Sequence, residues 1–524
     1  MKRACSSYLI VALVFAIPPT ALAAAQAVPA WQKTQLRFAK PVAYDSGGLG
    51  ADSVAIADLN GDGIQDLVVA NGQQNGNGDF GEVAVLLGNG NGTFQSAVTY
   101  STGAYGATSV AVGDVNGDGI PDLVVGNDCL DLQGEICAGS IGAVSVLLGN
   151  GDGTFQPAAT YAIEYGGASS VALADLRGTG ILDLVVTDLI QDGQNYESSA
   201  GVLLGNGDGT FQPAVNYNSG GDGSSSVAVG DFNGDGIPDI VVTNSCQSES
   251  CQSDGTVGVM LGNGDGTFQP VVTYDSGSLR SDWVATADLT GNGIVDLVVD
   301  GGAGNVVGVL LGNGDGTFQA PLTYVVDGVA GGKVAIGDVN GDGIPDLAVT
   351  DACTKLKDGA CTDAKVIVLL GNGDGTFQPQ IPYSTGGIGA FAVAIGDVNG
   401  DGRPDLVVAD CCQSDLNTEG SAVVFLNETS YSTKTTLTSS PNPALVNQTV
   451  TFTATITSTP SVPNGEVVTF YDGKTELGTG TTTNGVATLS TSFAKEKTYT
   501  VKASYPGDAF RKASSGTVKQ VVNP

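Results

Sequence analysis

An acidic loop of nine residues recurs seven times along this 524-residue chain, and this repeat constrains the fold more than any other feature. In the copy at 114–122, side chains with oxygen atoms stand at positions 1, 3, 5 and 9, and glycines stand at positions 4 and 6. The copies start 50 to 61 residues apart, at Asp58, Asp114, Asp175, Asp231, Asp288, Asp338 and Asp397. A period of this length predicts an array of similar supersecondary units.

Each repeat carries four short apolar segments, which in the second unit are 109–114, 122–125, 143–149 and 155–161. Short Val- and Leu-rich runs between Gly, Asn and Asp turns predict strands. Four antiparallel strands, repeated radially, form a β-propeller blade. A linear solenoid is the alternative, but its two ends would need capping units.

The two ends of the array favour a closed ring. The last unit stops at 422–427 without a fourth segment, while 37–44, before the first loop, is similar to the missing one. An N-terminal strand that completes the last blade would remove the exposed sheet edges. The predicted fold is all-β, with a seven-bladed propeller over 37–428 closed by this strand.

The composition changes after residue 428, where the acidic loops end and Thr and Ser become frequent. Alternating segments at 449–456, 466–473, 485–493, 499–505 and 517–522 predict strands. We therefore expect residues 429–524 to form one Ig-like β-sandwich without an inter-sheet disulfide.

The N-terminus has the features of an export signal. Lys2 and Arg3 precede an apolar stretch at 8–17 and a small-residue cleavage site at 21–23. We expect residues 1–23 to be a cleaved signal peptide and 24–36 a linker. The mature protein is predicted to be secreted, extracellular or at the cell surface, with no transmembrane segment.

Cys5 lies in the predicted signal peptide, and the other eight cysteines fall in close pairs. In an oxidising compartment such pairs predict local disulfides. The pairs are Cys129-Cys137, Cys246-Cys251, Cys353-Cys361 and Cys411-Cys412. A bridge between adjacent cysteines is strained, so free thiols at Cys411-Cys412 stay open as an alternative.

Charge and composition exclude several classes of function. The net charge of −34 would repel a polyanion, so no nucleic-acid partner is expected. The chain contains no histidine, which excludes Ser-His-Asp and Cys-His enzymes. Chemistry based on carboxylates, Lys or Tyr stays open.

The acidic loops are predicted to bind Ca²⁺ as a structural ion, because hard oxygen ligands in an irregular shell suit this cation. A plain hairpin turn is the alternative, but three carboxylates in one small loop repel each other unless a cation lies among them. Positions 1, 3, 5 and 9 would supply side chains and position 7 its backbone carbonyl. The five intact loops contain Asp58, Asn60, Asp62, Ile64, Asp66; Asp114, Asn116, Asp118, Ile120, Asp122; Asp231, Asn233, Asp235, Ile237, Asp239; Asp338, Asn340, Asp342, Ile344, Asp346; and Asp397, Asn399, Asp401, Arg403, Asp405.

Two loops depart from this pattern. The third has Arg177 and Thr179 at positions 3 and 5, and we expect the guanidinium to take the place of the cation. The fifth keeps only two carboxylates and is expected to bind metal weakly or not at all; its residues are Asp288, Thr290, Asn292 and Asp296.

Strand parity places the acidic loops and the "GNGDG" turns on one face of the propeller. The connections on the opposite face vary between units, and variation on a rigid scaffold suits recognition. The residue that stands five places before the first aspartate of each loop (position −5) is mostly serine. It is Trp283 in the fifth unit and Lys333 in the sixth. The residues predicted to contact a ligand there are Tyr105, Tyr165, Tyr196, Arg280, Trp283 and Lys333. Covering loop backbone or a gap between blades is the structural alternative.

The acidic loops and the "LLGNGDGTFQ" segments resemble FG-GAP/VCBS repeats over about residues 37–427. The resemblance implies a seven-bladed, calcium-binding, integrin-alpha-like propeller with a role in extracellular adhesion or recognition. "YPGDAFRKASSG" at 505–516 resembles bacterial Ig-like repeats, which usually serve as spacers or adhesion modules.

We therefore expect a non-catalytic protein that binds an extracellular protein or glycan. A lectin that binds glycans between blades or at the channel mouth is the first alternative, and an enzyme that degrades polysaccharides or lipid headgroups is the second. The sequence does not determine the oligomeric state.

Overall fold

The computed structural model describes residues 36–73, 80–130, 141–163, 166–192, 195–246, 255–303, 305–326, 332–352, 356–357, 360–361, 363–411 and 419–524. Within these ranges the regular structure consists of β-strands, so the predicted all-β class is confirmed. None of the described segments forms a helix with the length and hydropathy of a membrane span. The predicted signal peptide and nearly all of the linker lie outside the described residues.

Groups of four antiparallel strands follow one another along the first part of the chain. The first three units contain β1 (Val42–Ala57), β2 (Asp66–Gln73), β3 (Glu82–Leu86), β4 (Val98–Ser101), β5 (Tyr105–Gly113), β6 (Asp122–Cys129), β7 (Ala143–Leu147), β8 (Ala159–Ala162), β9 (Val171–Ala174), β10 (Asp183–Asp192), β11 (Asn195–Leu203) and β12 (Val215–Asn218). The fourth and fifth contain β13 (Asp222–Gly230), β14 (Asp239–Cys246), β15 (Thr256–Met260), β16 (Val272–Asp275), β17 (Leu279–Ala287), β18 (Asp296–Ala303), β19 (Val306–Leu310) and β20 (Leu322–Val325).

The sixth unit also includes a small hairpin of two short strands. The sixth and seventh units contain β21 (Val334–Gly337), β22 (Asp346–Asp351), β23 (Leu356–Lys357), β24 (Ala360–Cys361), β25 (Lys365–Leu369), β26 (Ile381–Ser384), β27 (Ala390–Gly396), β28 (Asp405–Asp410) and β29 (Glu419–Phe425). Strands β23 and β24 pair only with each other, so the four-stranded order of the sixth unit is β21-β22-β25-β26.

Strand β1 belongs to both the first and the last unit. Its beginning pairs with β29, where Val42 lies opposite Val424, and its end pairs with β2. Phe38 adds an isolated bridge to Asn427 and makes edge contacts with the rings of Tyr383 and Phe425. These are the contacts that the predicted closure requires; the closed seven-bladed ring itself stays a prediction.

The apolar core of this part lies between neighbouring sheets. Strand β7 is buried along its whole length because units on both sides cover its two faces. One cluster joins the last unit to the first, with Val407 and Val424 packed against Val54, Leu67 and Val69. The continuous Val and Leu runs of the repeats therefore reflect strands that are buried on both faces.

The first two strands of the second unit are longer than predicted. In the second unit β5 begins four residues earlier than expected, and β6 ends four residues later. The extra residues pair with each other beyond a β-bulge between Ala107 and Ser109. The fourth strand is shorter, because Phe155 forms only an isolated bridge to Gly149 and β8 starts at Ala159.

The C-terminal part is a two-sheet sandwich, as predicted. Its strands are β30 (Lys434–Ser440), β31 (Ala444–Leu445), β32 (Thr449–Thr457), β33 (Val467–Asp472), β34 (Thr475–Thr481), β35 (Val486–Ser492), β36 (Lys497–Tyr505) and β37 (Ser514–Asn523). The sheet orders are β30-β32-β35 and β31-β37-β36-β33-β34. Phe452 and Phe470, from opposite sheets, are fully buried in one shared core.

The antiparallel pairing defines two faces of the repeated part. The "loop face" holds the connections from first to second and from third to fourth strands, which are the acidic loops and the "GNGDG" turns. The "varied face" holds the other connections, at the opposite ends of the same strands. This separation is what strand parity predicted.

Candidate functional site

Each acidic loop curls around the carboxylate at its own first position. Asp114 Oδ1 accepts hydrogen bonds from the amides of Gly117 at 2.7 Å and Asp118 at 3.2 Å, and Asp114 Oδ2 accepts one from Gly119 at 2.8 Å. Gly117 and Gly119 have φ values of 79° and 81°, which residues with a Cβ rarely adopt. The glycines at positions 4 and 6 are therefore required by the backbone path of the loop.

The oxygens at positions 3 and 5 also accept hydrogen bonds from backbone amides. Asn116 Oδ1 accepts from the amide of Asp118 at 2.9 Å, and Asp118 Oδ1 accepts from the amide of Ile120 at 2.8 Å. The first and fourth units show the same pattern in the loops that begin at Asp58 and Asp231. These Asx-type turns fix the loop locally and leave each carboxylate with further lone pairs.

The aspartate at position 9 joins the acidic loop to the neighbouring turn. Asp122 is fully buried; its Oδ2 accepts from the Val115 amide at 2.9 Å and its Oδ1 from the Gly149 amide at 2.8 Å. Burial raises the pKa of Asp122, and the nearby carboxylates of Asp118 and Asp114 raise it further. Sequence reasoning had assigned this residue only as a metal ligand.

The same connection recurs in every unit. The pairs of position-9 carboxylate and turn amide are Asp66 with Gly88, Asp183 with Gly205, Asp239 with Gly262, Asp296 with Gly312, Asp346 with Gly371 and Asp405 with Asn427. A signal was available in the sequence, because position 9 stays Asp in the third and fifth loops, where the aspartate at position 5 is lost.

The donor set of the intact loops fits a hard divalent cation, although the side chains do not converge on one point. Across the described ranges, no three His, Cys, Asp or Glu side chains are arranged to hold a metal ion. The sixth loop gives the test of fit: Asn340 is 4% exposed, and its Oδ1 has no hydrogen-bond partner. A buried amide oxygen beside Asp346 is a ligand type that calcium accepts.

In the third loop a guanidinium pairs with the carboxylate at position 9, which is a predicted metal ligand in the intact loops. Arg177 Nη2 and Nε bind Asp183 Oδ1 and Oδ2 at 2.7 and 3.2 Å, and Nη2 also donates to the Gly205 carbonyl at 2.7 Å. Thr179 at position 5 donates its backbone amide to Asp175. This geometry supports the expectation that the third loop does not need a metal.

The fifth loop keeps the curl with fewer charges. Asp288 accepts from the amides of Thr290, Asn292 and Gly293, while Asp296 occupies the buried position 9. Only two carboxylates remain, so the weaker binding predicted for this loop stays a prediction.

The seventh loop carries a cation of its own. The Arg403 guanidinium forms an ion pair with Asp401, the aspartate at position 5, and donates to the carbonyl of Ala509 at 2.9 Å. The sequence had assigned Arg403 only through its backbone carbonyl. Its side chain therefore competes for one of the predicted ligands and also reaches the C-terminal sandwich.

On the varied face, the serines at position −5 connect neighbouring units. Ser53 Oγ accepts a hydrogen bond from the Val110 amide of the next unit at 3.4 Å, and Ser109 Oγ accepts one from Val171 at 3.4 Å. Ser170 and Ser226 make the same bond, to Val227 and Val284. These four serines are buried, so they hold adjacent sheets together.

Trp283 and Lys333, predicted to contact a ligand, are engaged inside the protein. The indole of Trp283 donates to the Val334 carbonyl at 3.1 Å and packs on the core between the fifth and sixth units. Lys333 Nζ lies 4.6 Å from the centre of the Trp283 ring and 3.5 Å from the Thr108 carbonyl of the second unit. The structural alternative, a side chain that covers a gap between blades, describes Trp283 better than a free stacking platform.

Lys333 also influences the titration of a carboxylate of the first unit. Burial raises the pKa of Asp52, Lys333 lowers it, and Asp128 raises it again. Burial lowers the pKa of Lys333, against the influence of Asp52. Lys333 thereby links the sixth unit to the first and second units.

We expect a double-mutant cycle on Asp52 and Lys333 to give a coupling free energy of about 1–3 kcal/mol. Lys333→Met should destabilise the protein increasingly as the pH rises. The pKa of Asp52 is higher in the folded than in the unfolded state, so stability is lost as Asp52 ionises. Asp52→Asn/Lys333→Met should restore a flat pH profile in urea unfolding; additive single effects would contradict the pairing.

The other residues predicted to contact a ligand have different environments. Tyr105 stacks on Phe80, with ring centroids 4.9 Å apart, and Phe80 is 48% exposed. Arg280 is exposed and has a φ of 66°. Tyr165 lies outside the described residues, and so does the side chain of Tyr196. Sequence reasoning missed Phe80, although it stands alone in a polar connection.

The cysteines are only partly described. Cys129 and Cys411 each take part in a disulfide bond. Their predicted partners, Cys137 and Cys412, lie outside the described residues. The pairs Cys246-Cys251 and Cys353-Cys361 also depend on residues outside the description, so all four pairings stay predictions.

Comparison with known families gives two matches. Residues 58–125, 133–186, 189–242, 250–299 and 359–408 match the FG-GAP-like repeat, and residues 106–147 match the FG-GAP repeat. The first set covers more than half of the chain. Residues 437–523 match the bacterial Ig-like domain, group 3.

Individual relatives are more distant. Integrin alpha-V of Gallus gallus is 32% identical over 148 residues, which are 28% of this chain and 14% of the integrin. The chain thus spans a small part of that relative. The V. cholerae biofilm matrix protein Bap1 has 13% identity and a TM-score of 0.34, covering 93% of this chain and 70% of Bap1. A Lactobacillus plantarum protein has 13% identity and a TM-score of 0.45, covering 68% of this chain and 98% of its own. Both TM-scores are below 0.5, so neither likeness bears on function.

Proposed function

Since this chain belongs to the FG-GAP-like repeat family, we propose that it is a calcium-stabilised extracellular protein for recognition or adhesion. The repeats and the integrin similarity suggest a propeller-type recognition domain. In the proposal, calcium in the loop face is structural, and a protein partner binds the varied face. Secretion through the predicted signal peptide would bring the protein outside the cell, where both calcium and the protein partner are proposed to bind.

One observation supports the proposal most strongly: exposed apolar side chains are distributed unequally between the two faces. Among the described residues, large exposed apolar side chains of the repeated part lie on the outermost strands or on the varied face. Those on the varied face are Phe80 at 48%, Ile141 at 44%, Leu279 at 50% and Phe391 at 36% exposure. The acidic loops contribute none. Contiguous exposed apolar patches mark protein interfaces, and the proposal assigns these residues to one such patch.

The chemistry of these residues favours a protein over a glycan. Phe, Leu and Ile lack the polar groups that orient a sugar, and the indole of Trp283 is already packed under Lys333. The Phe80–Tyr105 pair is the feature that a lectin would use. Catalysis has less support, because the chain has no histidine and its Lys333–Asp52 pair is engaged between units.

The binding proposal is tested with a screen of matrix proteins and a glycan array. Against any protein captured, we expect Phe80→Ser, Leu279→Ser and Phe391→Ser each to weaken binding about 5- to 30-fold, the range for interface anchors. Val98→Ser and Val215→Ser, equally exposed on outer strands, are the matched controls. Glycan binding lost in Tyr105→Ala would favour the lectin. Turnover of a polyanionic glycan would sink the non-catalytic proposal.

The calcium proposal makes a gain-of-function prediction in the third loop. Arg177→Asn with Thr179→Asp restores the pattern of the intact loops, with Asp183 already at position 9. Removing the guanidinium frees Asp183, so we expect one additional calcium per chain in isothermal titration calorimetry. Arg177→Met alone should add no site and should destabilise the protein by about 3 kcal/mol, because Asp183 loses its buried partner. Equal stoichiometry in all three proteins would contradict a cation at this position.

A further inference from the structure

The C-terminal sandwich rests on two of the acidic loops. Arg511, in the segment between β36 and β37, donates from Nη2 to the Gly341 carbonyl of the sixth loop at 2.7 Å. Arg403 of the seventh loop donates in return to the Ala509 carbonyl at 2.9 Å. The side chain of Arg511 is only 2% exposed, so this contact is a buried part of the interface.

The fit at this interface depends on the loop glycines. A Cβ added to Gly341 would lie 2.3 Å from the Phe510 ring, and one added to Gly402 would lie 3.0 Å from the Ala509 Cβ. Gly341 stands at position 4 and Gly402 at position 6 of their loops. The sandwich is therefore packed against the backbone that the acidic side chains shape.

The sixth loop differs from the other intact loops because the sandwich covers it. Asn340 is buried, whereas its counterparts Asn60 and Asn116 are partly exposed, and Asp342 is partly buried where Asp62 and Asp118 are exposed. Asn340 Nδ2 points to Asp346 Oδ1 at 3.5 Å, and Asn340 Oδ1 has no partner. In the second loop, by contrast, the equivalent amide oxygen binds the backbone. A buried side chain that faces a carboxylate through its amide nitrogen and carries an unpartnered oxygen indicates a missing ligand.

The charges at the interface do not balance without a cation. The sixth loop contributes three carboxylates, from Asp338, Asp342 and Asp346. Each of the two arginines at the interface already has a carboxylate partner: Arg511 pairs with Asp508 of its own domain at 3.1 Å, and Arg403 pairs with Asp401 of the seventh loop. Covering three carboxylates without an added positive charge is unfavourable. Docking of the sandwich thus favours a divalent cation in this loop.

We propose that a divalent cation in the sixth loop holds the Ig-like domain in its docked position on the repeated part. This inference rests on the proposed calcium binding and assigns one of the five loops a second role. The coupling must be reciprocal: if the cation favours docking, docking raises the affinity of the sixth loop by the same factor.

The first test compares Asp342→Ala with Asp118→Ala in the full chain. Both variants remove a position-5 carboxylate, but only Asp342 faces the sandwich. In saturating calcium we expect small-angle X-ray scattering to show an increased maximum dimension for Asp342→Ala, as for the wild type in EDTA. Asp118→Ala should keep the dimensions of the calcium-loaded wild type. Far-UV circular dichroism checks that both variants keep their strands.

The second test acts from the sandwich and leaves every loop intact. Arg511→Met should weaken calcium binding at one site about tenfold in isothermal titration calorimetry, because undocking removes the cover of the sixth loop. Lys512→Met, which removes the same charge from an exposed neighbour, should leave all affinities unchanged. Unchanged affinities in Arg511→Met, or equal dimensions for the two aspartate variants, would overturn the inference while calcium binding stands. Absence of any calcium binding by the wild type would instead overturn the proposed function.

Discussion

Chelation of calcium with EDTA is expected to lower the thermal unfolding midpoint of the full chain by about 10 °C or more. A ligand that binds only the folded state stabilises it by about 2.7 kcal/mol at a hundredfold excess over Kd, and five loops are proposed to bind. A change of 1 kcal/mol moves the midpoint of a domain of 150–250 residues by about 2–4 °C, and less for a larger one. Differential scanning calorimetry measures the effect.

Two controls make this result specific. Returning calcium in excess over EDTA should restore the midpoint, which separates cation loss from irreversible damage. Asp118→Asn, which weakens one loop, should reproduce about a fifth of the shift, since each intact loop contributes separately. A midpoint that EDTA leaves within about 1 °C would refute a structural metal.

The second large effect is expected when the N-terminal strand is removed. A chain that starts at residue 46 loses four of the five residue pairs between β1 and β29, the buried side chain of Leu36 and the ring contacts of Phe38. Strand β29 then becomes an exposed sheet edge, and the interface between the last and first units loses one wall. We expect loss of cooperative unfolding and aggregation, measured by calorimetry and size-exclusion chromatography.

The control for this truncation is a chain that starts at residue 36, which keeps every contact just named. It should unfold cooperatively at the midpoint of the full chain. A synthetic peptide of residues 36–46 added to the shorter chain should partly restore its stability, because the strand edge is available for pairing. Normal stability of the chain from residue 46 would show that the repeated part does not depend on this strand.

The acidic loops show how much of the structure local sequence can predict. Their spacing predicted calcium loops with glycines at positions 4 and 6, and Gly117 and Gly119 have the positive φ values that a tight loop needs. The structural role of Asp122 was missed, because its second partner, the Gly149 amide, lies 27 residues away and is brought near by strand pairing. Local pattern describes a loop well and its tertiary partners poorly.

The residues of the varied face show what local sequence cannot predict. Trp283 and Lys333 stood out because they replace serine, and this signal correctly marked an unusual position. The sequence could not show that the two side chains meet each other and Thr108 of the second unit. Contacts between units far apart in the chain depend on the arrangement of the sheets, which no local pattern encodes.

The sequence by itself determined the all-β class, the repeat, the C-terminal sandwich and the identity of the acidic loops. These properties follow from short-range rules: strand periodicity, turn glycines and the mutual repulsion of neighbouring carboxylates. Only the tertiary structure decided which acidic loops are exposed to solvent and which are covered by the C-terminal sandwich. Asp118 and Asp342 occupy the same place in nearly identical sequences, yet one is exposed and the other lies under Phe510 and Arg511. The physical reason is that burial is set by what the rest of the chain places above a loop, and the loop does not carry that information.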